Sequence, residues 1–84
     1  MSDELIQRVI ACIARSQKIP PENITIDSTF ADLGIDSLDG VNIIFELESD
    51  FNVDIPDGGV AGIRGVRDAV EAMDRLLAGR PKSQ

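Results

Sequence analysis

The 84-residue sequence predicts an all-α fold, a small bundle of three to four helices with a long ordered loop between the first and second. Three observations carry that prediction. Apolar residues recur at helical spacing in three separate segments, and no run alternates with period two for long enough to make a strand. Prolines and paired glycines stand between the periodic segments, where they interrupt helices. A chain of this length buries only about 60–65% of the surface its unfolded form exposes, so one modest core is expected and no deep enclosed active site.

The first helix is expected over about Asp3 to Ser16, with Leu5, Ile6, Val9, Ile10 and Ile13 on one face and Ser2 or Asp3 as its cap. Pro20 and Pro21 end it. The loop that follows, "PPENITIDSTFADLGIDS", carries Ile24, Ile26, Phe30, Leu33 and Ile35 as anchors onto the core. A loop this long with little regular structure is often functional, and a short helical turn is expected near Thr29 to Leu33.

The second helix is expected over about Ser37 to Phe51 with two adjacent stripes: Leu38, Val41, Phe45 and Glu48 in one, Ile44, Leu47 and Phe51 in the other. That apolar surface is wider than one packed stripe needs, so part of it is expected to face outward. "FNVDIPDGG" breaks the helix, and residues 60–64 are expected to form at most one irregular turn among their glycines. The last helix, about Val66 to Leu77, places Val66, Ala69, Val70, Met73, Leu76 and Leu77 on one face, closed by Gly79 and Pro81. Residues 1–79 are thus expected to form the domain and 80–84 a flexible tail.

Charge and composition narrow the function. The net charge is -7, and between Ile19 and Ile63 stand ten acidic residues and no basic one. Such a one-sign field argues against nucleic acid, whose phosphates nothing there would neutralise, and for solubility and steering of basic partners. The lone Cys12 cannot form an intramolecular disulfide and reads as a small buried apolar residue. "VIACIA", the longest apolar run near the N-terminus, is too short for a membrane span, and a reducing cytoplasmic setting is expected.

The chain has no histidine, which removes Ser–His and Cys–His nucleophilic systems and most zinc sites. "DFNVD", Asp50 to Asp54, matches the first three ligand positions of an EF-hand loop. Ile55 then stands where the turn needs glycine, and Ala61 where the loop needs its bidentate glutamate, so no calcium hand is expected.

Ser37, in "GIDSLDG", begins the second helix, and Asp36 or Ser37 would cap it. Taken alone, Asp-Ser-Leu says no more than that. In context, "LGIDSLDGVNIIFELESDFNVDIPD" resembles the acyl carrier protein family over its most recognisable stretch, and "STFADLG" and "VRDAVEAM" extend the likeness over roughly Leu5 to Leu77.

The resemblance implies a monomeric carrier, not an enzyme. It implies a 4'-phosphopantetheine group carried on Ser37, transferred from coenzyme A by a magnesium-dependent holo-carrier synthase that recognises Asp36. The thiol of that arm would hold acyl chains as thioesters for acyl-transferring or chain-elongating enzymes of fatty-acid, lipid or polyketide synthesis. Basic patches on those enzymes would meet Asp39, Glu46, Glu48, Asp54 and Asp57, with Leu38, Val41 and Phe45 as apolar contacts. Phe30, Ile44, Leu47, Ile63 and Ala69 would line a space for the acyl chain. Gly40, Asn42 and the glycine-rich "DGGVAGIRGVR" depart from the housekeeping pattern and point equally to a specialised carrier, dedicated to one lipid, polyketide or lipid A pathway. The contrasting possibility is an unmodified acidic helical adaptor that binds basic proteins.

Overall fold

The first helix starts where Ser2, in extended backbone, accepts a hydrogen bond from the Leu5 N–H through its hydroxyl oxygen at 3.1 Å. The computed structural model describes residues 2–55 and 62–78 of the chain. Helix α1 spans Asp3–Gln17 and stops at Lys18, whose left-handed backbone returns its N–H to the Ala14 carbonyl. A 3-10 turn, Pro21–Asn23, opens the long loop. Helix α2 spans Ser37–Phe51 and ends on left-handed Asn52, and helix α3 spans Val66–Ala78. Among the described residues there is no strand, only a single antiparallel bridge between Thr29 and Gly65. The expected all-α bundle is therefore what forms.

Helix α1 is the central element, packing against both α2 and α3, while direct α2–α3 contact is sparser. Val9, Cys12 and Ile13 of α1, Ile43 and Leu47 of α2, and Val66, Ala69, Val70 and Met73 of α3 are fully buried in one core. The loop is pinned as its anchors predict. Ile24, Phe30 and Ile35 are buried, and Ile26 and Leu33 pack partly against them. The Thr29–Leu33 turn is made by Leu33 donating its N–H to the Thr29 and Phe30 carbonyls, and Gly34 leaves it with φ +74°, a left-handed backbone that favours glycine.

The loop is also stitched to the start of α3. The Phe30 N–H donates to the Arg64 carbonyl and the Val66 N–H to the Ser28 carbonyl, each at 3.0 Å. Gly65 permits this approach, because a Cβ there would lie 2.9 Å from the Ser28 carbonyl oxygen. Of the irregular turn expected at 60–64, residues 62–64 are described and are not helical; 60 and 61 lie outside the described residues, as does the expected tail at 80–84.

Cys12 sits at 0% exposure, and burial, with a smaller contribution from Asp50, pushes its thiol from 9.0 up to about 11. A raised thiol value means this contribution to stability is intact below pH 9 and is lost as pH rises through about 11. At pH 8 the folded chain then holds about 100-fold less thiolate than an ordinary cysteine. An aromatic disulfide reagent is expected to react at least about 100-fold faster with the urea-unfolded chain than with the native one. Equal rates would mean the thiol is open to solvent.

Candidate functional site

The entrance to α2 resolves which of two adjacent residues is the cap. Asp36 has extended backbone, and its Oδ1 accepts the Asp39 N–H at 2.8 Å while its carbonyl accepts the Gly40 N–H at 2.9 Å. The carboxylate thus satisfies a first-turn donor and places negative charge at the positive end of the helix. Asp36→Ala is expected to lower stability by about 1 kcal/mol, read as a lower urea midpoint with an unchanged slope. An unmoved midpoint would show the cap to be idle.

With the capping role taken, Ser37 is left exposed, and its hydroxyl has no hydrogen-bond partner among the described residues. It opens onto a cleft of about 470 Å³ between the loop, the first turns of α2 and the chain before α3. Phe30 and Ile35 from the loop, Val41 and Ile44 from α2, and Ile63 give this cleft an apolar wall; Asp36, Ser37 and Arg64 are its polar members. Of the five residues expected to shelter a chain, Phe30, Ile44 and Ile63 line the cleft. Leu47 and Ala69 lie at 0% exposure in the core and are not among its lining residues.

Beside the cleft α2 turns one of its two stripes outward. Leu38 is 71% exposed, Phe45 61% and Val41 37%, whereas Ile44, Leu47 and Phe51 face the core. Large apolar side chains left open in a row mark contact surfaces more often than chance scatter does. The acidic residues named for the same surface are not equivalent. The Asp39 and Asp54 carboxylates have no partner among the described residues, Asp39 half-buried and Asp54 exposed. Glu46 shares the Arg15 guanidinium with Asp50, at 3.4 Å each, across to α1. Glu48 is half-buried and accepts the Ile55 N–H at 2.7 Å, fixing the chain as it leaves α2. Asp57 lies outside the described residues.

Sequence reasoning missed four of the lining residues: Ala31, Ile35, Gly40 and Arg64. In the sequence Ile35 stands as a core anchor and Gly40 as a departure from the housekeeping pattern, and only the folded loop brings both to one wall. Arg64 had a signal, as the first cation after the acidic window.

The polar groups lining the cleft are one hydroxyl, one carboxylate and one guanidinium, from Ser37, Asp36 and Arg64. Among the described residues no three His, Cys, Asp or Glu side chains converge to hold an ion. A free hydroxyl at a helix N-terminus suits a phosphoester, whose charge the exposed N–H groups and the helix dipole favour. The apolar cleft next to it suits a chain carried on such a group.

The phosphopantetheine attachment site family matches residues 7–73. The acyl carrier protein of Rickettsia bellii (strain RML369-C) is 46% identical over 69 residues, 81% of this chain and 80% of its own. The acyl carrier protein of Rickettsia bellii (strain OSU 85-389) is 45% identical over 69 residues, 81% of this chain and 85% of its own. The family match spans most of the chain and the relatives are covered over four-fifths of their length, so the chain belongs to the acyl carrier protein family and is built around a phosphopantetheine-attachment domain.

Proposed function

We propose that Ser37 carries the 4'-phosphopantetheine arm and that the chain, as a cytoplasmic monomer, presents acyl thioesters on it to enzymes of fatty-acid, lipid or polyketide synthesis. Acyl carrier proteins are carriers and not catalysts. The observation that carries the reading is the division of labour at the start of α2: Asp36 takes the cap, and the Ser37 hydroxyl stays exposed without a partner.

In the loading step Ser37 Oγ would bond to the phosphorus of the phosphopantetheine half of coenzyme A as the pyrophosphate P–O bond breaks, the nucleotide half leaving with the bridging oxygen and the serine proton passing to a base of the synthase. The arm, once attached, supplies a thiol. The chain's own thiol is unsuited to that task, since Cys12 is fully buried and its pKa raised. Asp36 fixes the helix start that the synthase reads. Leu38, Val41 and Phe45 meet the partner's apolar contacts, and Asp39 and Asp54 meet its cations. Glu46 and Glu48 contribute charge but are tethered by Arg15 and the Ile55 N–H. Phe30, Ile44 and Ile63 shelter the acyl chain in the cleft. A tethered cargo reaches successive enzymes at high effective concentration without tight binding.

Incubation with coenzyme A, magnesium and a carrier synthase tests the reading by intact mass. One added phosphopantetheine supports it, and no gain with a range of synthases leaves the unmodified adaptor. Asp39→Lys is expected to slow loading about 3- to 10-fold at low ionic strength, since it inverts a charge on the steering face. The difference should close at about 0.5 M salt as screening shortens the field. Equal rates at low salt would remove the steering argument.

A further inference from the structure

We propose that Arg64 is a positioning residue for the prosthetic arm, pairing its guanidinium with the phosphodiester on Ser37 and so laying the arm along the cleft. The inference rests on the reading of Ser37 as the attachment residue.

Ser37 and Arg64 line the same cleft, and Arg64 is the only basic residue to do so among the described residues. Both are exposed. A phosphodiester on Ser37 adds one more negative charge beside Asp36 and Asp39, inside a window that has no cation between Ile19 and Ile63. Arginine offers such a group two parallel N–H donors, a geometry a point charge lacks.

The guanidinium is available for this role. It has no ion-pair or hydrogen-bond partner among the described residues. The neighbouring cation, Arg67, is instead paired with Asp27. Oδ2 of Asp68, the acid one turn on, accepts the backbone N–H of Arg64 at 3.1 Å. The backbone from which the side chain springs is held on both sides: the Arg64 carbonyl accepts the Phe30 N–H at 3.0 Å, and the Thr29–Gly65 bridge follows at once. An unpaired arginine on a pinned backbone, lining a cleft whose other charged lining residue is Asp36, is placed to receive an anion.

The test uses full-length protein loaded by a carrier synthase, with loading verified by intact mass, as wild type, Arg64→Gln and Arg64→Lys. The readouts are the phosphorus resonance of the diester and the Arg64 Nε–Hε cross-peak, at low salt and at about 0.5 M salt. Loading is expected to shift the wild-type cross-peak. At low salt the Arg64→Gln phosphorus resonance should stand where the wild-type resonance moves at high salt, with Arg64→Lys between them. One shared phosphorus resonance for all three proteins, together with a wild-type cross-peak that loading leaves unmoved, overturns the proposal while Ser37 attachment stands. If wild type takes up no arm, both readings fall together. Should a substitution disturb folding, the wild-type cross-peak before and after loading decides alone.

Discussion

Ser37→Ala is expected to take up no phosphopantetheine at all, while unfolding within about 0.5 kcal/mol of wild type. The loss is total because only an oxygen at this position can form the phosphoester, and the remaining side chains at the cleft mouth include no other hydroxyl. The fold is spared for three reasons. The hydroxyl is exposed, it has no hydrogen-bond partner among the described residues, and alanine is the better helix former. Asp36→Ala should behave in the opposite way, losing the bond to the Asp39 N–H and with it measurable stability. Intact mass after synthase treatment and urea unfolding of both variants check the pair. If Ser37→Ala unfolds as easily as Asp36→Ala, the hydroxyl is chiefly structural; if it still gains mass, the arm sits elsewhere.

The boundaries of α2 were legible because local chemistry writes them: Asp36 and Ser37 at one end, and at the other a run broken by Asn52 and Pro56. The choice between those two caps was not legible, since both side chains can reach a first-turn N–H and only the fold selects one. The two apolar stripes of α2 were visible, but helical period alone does not say which faces inward. Leu38, Val41 and Phe45 are spaced as well for burial as Ile44 and Leu47; the packing of α1 decides it. Ile43 escaped both stripes, yet it is fully buried where the inward face broadens. The 3-10 turn at Pro21–Asn23 was hidden by its brevity. The internal ties of Glu46 and Glu48 join residues distant in the chain or outside the helix, so no local pattern announces them. Arg64 entered the site through the stitching of the loop to the start of α3, by the Thr29–Gly65 bridge, 36 positions apart in sequence, and the Phe30 N–H bond to the Arg64 carbonyl.

Ile43→Ala and Phe45→Ala, two positions apart on one helix, should therefore fail in opposite ways. Ile43 is 0% exposed, and truncating it removes buried methyl groups from a core that relaxes only in part, an expected loss of about 2–5 kcal/mol. Small domains have only about 5–15 kcal/mol in total, so the midpoint of urea unfolding should fall steeply and the melting temperature by roughly 10 °C or more. Phe45 is 61% exposed, and its removal should change stability by no more than about 0.5 kcal/mol. Its effect should appear in encounter with partner enzymes, as slower loading by the synthase at unchanged fold. Under conditions where Ile43→Ala remains folded, that variant should load at close to the wild-type rate, because Ile43 is fully buried and is not among the residues that line the cleft or form the outward stripe. A stable Ile43→Ala would place residue 43 on the surface and rotate the helix away from this assignment. A Phe45→Ala that loads normally would leave the outward stripe without its proposed use. Only the helix orientation given by α1 packing predicts both results together, with stability lost at one position and partner contact at the other.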